Sequence, residues 1–197
     1  MNEQTLPLFP LRTVLFPEGP LPLRVFEARY LDMISRCMRE STGFGVVMIE
    51  RGQETGPASF AEIGTVAEIT DWYQGSDGIL GVTAVGKQRF RVIERSVADD
   101  GLNTATVEWL EEPPSLALPS DYSHLAAILQ SVLDDFGRLY AGSDKRYDDA
   151  AWVSYRLAEI LPISAEDKQR CLEAPSTAVR LEIVGELVQA IRPGSTD

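Results

Sequence analysis

Two hydrophobic periods follow one another along this chain. The opening stretch, residues 6–24, is broken by Pro7, Pro10, Pro17, Pro20 and Pro22. Proline cannot donate to a ladder, so a long central strand is excluded there, and short edge strands are expected at about Leu6–Phe9 and Leu21–Arg24. Glu27–Arg39 then shows helical spacing, with Tyr30, Met33, Ile34, Cys37 and Met38 on one stripe. Beyond it the pattern turns β-rich: Phe44–Ile49, Ile63–Trp72, Ile79–Val85, Arg89–Glu94 and Thr104–Leu110 are short apolar or alternating runs. Asp77-Gly78 and Asp100-Gly101 are turn dipeptides that accept positive φ, and Gly86-Lys87 is read as a further connection. About six or seven strands at this spacing predict a small closed or nearly closed sheet.

Glu111–Pro119 holds Pro113, Pro114 and Pro119 and is the natural linker. After it the period becomes helical. Tyr122–Tyr140 places Leu125, Ile128, Leu129, Val132, Leu133 and Phe136 on one stripe. Asp148–Leu161 follows and ends at Pro162. Ser164 with Asp167 makes a capping box for a helix through Glu173, and Thr177–Ile191 is a last helix after Pro175. The predicted organisation is a β-rich subdomain over residues 1–114 and a helical bundle over residues 115–197, an α+β chain.

Composition adds little to the fold but constrains partners. A chain of 197 residues buries about 70% of its unfolded surface and needs no staples. Net charge is -12, with 10 Lys+Arg against 17 Asp+Glu in residues 1–114 and 8 against 13 in residues 115–197. An acidic surface of this kind repels phosphate backbones. Arg89, Arg91 and Arg95, on one face of a predicted strand, are the best local basic patch, although a solvated strand face explains them more simply. The two cysteines, Cys37 and Cys171, sit in helical patterns outside any ligand cluster, and reduced buried thiols are expected, with a disulfide between them left open. No apolar run reaches the length of a membrane span and no signal peptide is visible, so a cytoplasmic location is expected.

Motifs for chemistry are mostly missing. Gly81 to Lys87 matches GxxxxGK, but Gln88 stands where a phosphate loop needs Ser or Thr, and the intervening residues are β-formers. His124, the single histidine, opens a helix beside polar neighbours, so a nucleophile–base pair would have to be built around it alone. Asp134-Asp135 and Asp148-Asp149 are adjacent on helices and point apart; the second pair fits an N-terminal dipole partner. No catalytic residue, metal site or cofactor is expected.

Several segments, taken in order, resemble the N-terminal substrate-binding domain of Lon proteases. They are Leu6-Pro-Leu-Phe-Pro-Leu-Arg-Thr-Val-Leu-Phe-Pro17, Pro22-Leu-Arg-Val-Phe-Glu-Ala-Arg-Tyr-Leu31, Ile63-Gly-Thr-Val-Ala67 and Gly86-Lys-Gln-Arg-Phe-Arg-Val92. Arg156-Leu-Ala-Glu-Ile-Leu-Pro162 and Lys168-Gln-Arg-Cys-Leu-Glu-Ala174 continue the match into the helical half. The resemblance looks nearest to the stand-alone bacterial form of the domain. It implies a PUA-like β pseudo-barrel followed by a C-terminal helical bundle. It also implies binding without proteolysis, because the family's ATPase and peptidase lie beyond the region matched.

The resulting expectation is a non-catalytic module that binds unfolded or tagged polypeptides as an adaptor or holdase, with a separate protease as a further partner and no membrane. Prolines and aromatics in such a signature are mostly core residues. Their functional role would be to line a groove for an extended apolar peptide, with Phe16, Phe26, Tyr30 and Phe44 as the candidate residues. Two alternatives stand beside this one: RNA binding through Arg89, Arg91 and Arg95, and an undetected hydrolase.

Overall fold

A computed structural model describes residues 4–52, 58–112, 114, 116–135, 140 and 144–191. The fold is α+β. It divides into two compact units, Met1–Glu112 and Pro113–Asp197.

Among the described residues, the first unit is a seven-stranded sheet with one helix. Its strands are β1 (Gln4–Leu11), β2 (Pro20–Val25), β3 (Phe44–Gly52), β4 (Ala58–Phe60), β5 (Ile63–Gln74), β6 (Leu80–Val97) and β7 (Asn103–Trp109), with α1 (Ala28–Glu40) between β2 and β3. Pairing runs β1-β7-β6-β5-β3 and returns from β3 to β1, which makes a pseudo-barrel; β2 adds to β6 and β4 to β3.

Three expectations about strands need correction. β1 is longer than predicted and is not an edge strand. Its first half, Gln4–Pro7, pairs antiparallel with β7, and Leu8–Leu11 pairs parallel with β3. One proline lies in each half, Pro7 opposite Thr104 and Pro10 opposite Val47. Second, Gly86-Lys87 is no connection, because β6 is continuous from Leu80 to Val97. Opposite it the β5 register shifts between Thr65 and Ala67, so the pair lies at an irregularity within one strand. Third, the short strand β4 had no periodicity to reveal it, and residues 53–57 before it lie outside the described residues.

The turn dipeptides act as their chemistry dictates. Gly78 (φ 80°) and Gly101 (φ 79°) occupy the left-handed region. Asp77 Oδ1 accepts the Ile79 amide at 3.1 Å, and Asp100 Oδ1 accepts the Leu102 amide at 2.9 Å.

α1 covers the sheet with Tyr30, Met33, Ile34 and Cys37, all buried; Met38, expected on the same stripe, is exposed because it turns past the end of the packed face. Phe9 stacks on Tyr30 with ring centroids 4.0 Å apart, and Phe44 lies 6.1 Å from Phe9. The main core therefore sits between α1 and the sheet. A second cluster, including Leu6, Leu8, Phe60, Phe90 and Val107, fills the interior side of β1, β6 and β7. The helix ends at Ser41, which is left-handed (φ 53°) and whose amide bonds the Cys37 carbonyl.

The second unit comprises a 3-10 turn (Ser120–Tyr122) and helices α2 (Ser123–Asp135), α3 (Ala150–Ile160), α4 (Ala165–Glu173) and α5 (Thr177–Ile191). Leu125, Leu129 and Leu133 form the buried stripe of α2; Ile128 and Val132 are half-buried, and Phe136 lies outside the described residues. α3 is central and is buried along nearly its whole length, packing against α2, α4 and α5. Asp149 caps it by accepting the amides of Ala151 (2.8 Å) and Trp152 (3.0 Å). Ser164 caps α4 through the Asp167 amide at 3.0 Å. Among the described residues no helix is long and apolar enough to cross a membrane.

Candidate functional site

Of the four residues proposed to line a groove, three are interior. Phe16 and Phe44 are wholly buried and Tyr30 nearly so, each filling the packed core rather than facing solvent. Their rings contribute about 1.5–3 kcal/mol each by burial, the fold-making role of a large apolar side chain. Phe26, at the entry to α1, is 63% exposed and alone among the four presents its ring to solvent.

A separate groove lies in the first unit. It has a volume of about 440 Å³ and lies between the C-terminal end of α1 and the far half of β5. Cys37, Met38, Ser41 and Thr42 form one wall, and Glu68–Trp72 the other. Trp72 is 55% exposed and Met38 39%, so a ring and a thioether stand open on the two sides. An indole and an unbranched thioether are adaptable contacts for varied apolar side chains. Cys37 is a buried free thiol, held above its usual pKa chiefly by burial. A smaller hollow of about 270 Å³ lies at the tip of the β5–β6 hairpin among Arg24, Tyr73, Asp77 and Ile79. There Arg24 pairs with Asp77, whose carboxyl sits below its usual range because the Ile79 amide and then Arg24 favour the anion.

The groove was not legible because it depends on non-local strand lengths. Ile63–Trp72 reads as a strand from its own residues, but nothing local shows that β3 stops accompanying it at Ala67.

The arginine row does not form a cationic stripe. Arg89 is buried and its Nε lies 3.1 Å from Glu112, Arg91 lies 3.9 Å from Glu108, and Arg95 donates to the Phe60 carbonyl at 2.7 Å while stacking on the Phe60 ring. A register shift between Val92 and Glu94 breaks the alternation that would have aligned them. Phosphate contacts from this row would cost it existing partners.

The other polar candidates belong to the second unit. His124 is exposed, with Nδ1 3.0 Å from the Asp121 carbonyl. Cys171 is a buried free thiol whose pKa is pushed up to about 11 by burial. In the helical unit, Glu159 gathers Tyr140 (2.6 Å), Arg156 (3.1 Å) and, through its carbonyl, Lys168 (2.6 Å). The carboxyl of Glu159 is raised by burial, against the opposing pull of Arg156. Arg180 lies 3.6 Å over the Tyr155 ring and donates to Ser154 Oγ at 2.9 Å. Two buried guanidiniums thus hold the bundle together from inside. Among the described residues no group of three His, Cys, Asp or Glu side chains converges as a metal site requires.

Comparison with known proteins agrees with this architecture. Lon protease 2 of Myxococcus xanthus is 28% identical over 199 residues, covering 96% of this chain and 24% of that protein. Protein cereblon of Gallus gallus is 32% identical over 133 residues, covering 66% of this chain and 28% of that protein. The chain thus spans about a quarter of the length of the curated relatives it matches. Among solved structures, the Lon N-terminal domain protein from Xanthomonas campestris superposes with a TM-score of 0.79 at 36% identity, covering 96% of this chain and 99% of that one. The N terminal domain of Mycobacterium avium complex Lon protease shares the fold at a TM-score of 0.68 and 14% identity. The family described as the ATP-dependent protease La (LON) substrate-binding domain matches residues 5–190, and the chain belongs to that family.

Proposed function

We propose that this protein is a non-catalytic cytoplasmic module that captures unfolded or tagged polypeptides, as a holdase or as an adaptor delivering them to a separate protease. Family membership supports polypeptide binding. The observation that carries the proposal is the open groove between α1 and β5, with Met38 and Trp72 exposed on its two walls. A concave surface with a few large adaptable side chains suits segments of varied sequence. It needs no nucleotide, no metal and no covalent step.

The test is titration of the purified protein into a labelled, reduced and alkylated polypeptide that cannot refold, followed by fluorescence anisotropy without nucleotide. Saturable binding, together with slower aggregation of a heat-denatured client, is expected. No binding and unchanged aggregation would remove the proposal.

A further inference from the structure

The ladder leaves part of β5 open. β6 accompanies β5 from Ile63 to Gln74, but β3 pairs with it only from Thr65 to Ala67. Along Glu68–Gln74 the strand has β6 on one side and, among the described residues, no ladder partner on the other. Open N–H and C=O groups on a strand edge are a template for another strand. Two devices soften this edge without covering it. The register shifts between Ile69 and Asp71, and the Asp71 carboxylate accepts the Trp72 amide at 2.8 Å.

The register also sorts the side chains, since residues directly opposite one another share a face. Ile69 and Trp72 stand opposite the buried Ala84 and Val82, on the side of α1 and Met38. Glu68 and Asp71 stand opposite Val85 and Thr83, on the other side. Lys87 lies 3.4 Å from Glu68, with both side chains about half exposed, so water screens that pair and it can exchange. The chain as a whole carries a net charge of -12. An added strand alternates its side chains between the same two faces. One set meets Met38, Ile69 and Trp72; the other meets two carboxylates.

The geometry points to β-strand addition at Glu68–Gln74 by extended polypeptide segments that alternate apolar and basic residues. This rests on the polypeptide-binding function proposed above and specifies its mode and preferred sequence class. Main-chain ladder bonds supply affinity that ignores sequence, and the two faces supply the preference. A basic side chain placed beside Asp71 also competes for the carboxylate that now caps the Trp72 amide.

The experiment uses short capped peptides alternating leucine and lysine, with three controls. One is the same composition in scrambled order, one alternates leucine and glutamate, and one is the leucine–lysine peptide N-methylated at alternate backbone nitrogens. The alternating leucine–lysine peptide should bind roughly tenfold or more tightly than each control, the loss expected when one or two hydrogen bonds or charge contacts go. A Glu68→Lys, Asp71→Lys variant, changed at exposed positions, should prefer the leucine–glutamate peptide instead. Equal binding of the N-methylated peptide overturns strand addition. If the labelled unfolded polypeptide still binds in that case, the polypeptide-binding function stands and only the mode is lost; if it does not, both fail. Concentration-dependent dimerisation that the peptide cannot displace, measured by sedimentation, would assign the edge to a second copy of this chain and also overturn the proposal.

Discussion

Gly86 and Phe16 are in backbone contact: a Cβ on residue 86 would stand 2.0 Å from the Phe16 carbonyl oxygen. The loop of residues 16–19 lies against β6 there, with Glu18 N–H donating to the Gly86 carbonyl (2.8 Å) and Gly86 N–H donating to the Gly19 carbonyl (2.9 Å). The glycine that completes a GxxxxGK pattern is therefore present for close approach of two backbones and not for a phosphate.

Gly86→Ala should accordingly destabilise the first unit by about 1–3 kcal/mol or more, since the obstructing atom is backbone and cannot rotate away. Urea unfolding followed by Trp109 fluorescence in a Trp72→Phe, Trp152→Phe background measures this. Gly78→Ala is the comparison: its φ of 80° is strained for alanine, but the space is open, so a cost of about 1–2 kcal/mol is expected there. An unchanged midpoint for Gly86→Ala would contradict the packing described.

The aromatic signature divides by burial. Phe44→Ala should cost about 3–5 kcal/mol of stability, because it empties a wholly buried site beside Phe9. Phe26→Ala should change stability by no more than about 0.5 kcal/mol, its ring being exposed. Similar losses at both positions would refute the division.

Much of this fold is written locally. Helix α5 matches its periodic span, Asp149 and Ser164 cap the helices they precede, and the turn glycines Gly78 and Gly101 adopt positive φ. These depend on neighbours within a few residues. The continuity of β6 through Gly86, the partner switch in β1 and the open half of β5 do not, since each is set by which distant strand lies alongside. For the same reason, nothing local distinguished Phe16, Tyr30 and Phe44, which the fold encloses, from Phe26, Met38 and Trp72, which it leaves exposed.

Glu159 should give the helical unit a characteristic response to pH. Burial raises its carboxyl above the ordinary 4.5. Between that value and the folded-state one, the folded state holds a proton that the unfolded state has released; this contribution to stability is complete below the ordinary glutamate pKa and is lost as pH rises through the folded-state value. In a Trp72→Phe, Trp109→Phe background, Trp152 fluorescence reports unfolding of this unit. The downward component of stability above about pH 4.5 should be present with glutamate at 159 and absent in Glu159→Gln. An identical pH slope in both proteins would show that Glu159 does not titrate in this way.

Amide chemical shifts of the isotope-labelled protein, recorded while the alkylated unfolded polypeptide is added, test the groove most directly. The largest perturbations should fall on Met38, Ser41 and Thr42 and on Glu68–Trp72, and Trp72→Ala should weaken binding by roughly tenfold, as for a central aromatic contact, without lowering stability. Perturbations confined to the helical unit, or full affinity in Trp72→Ala, would contradict binding between α1 and β5.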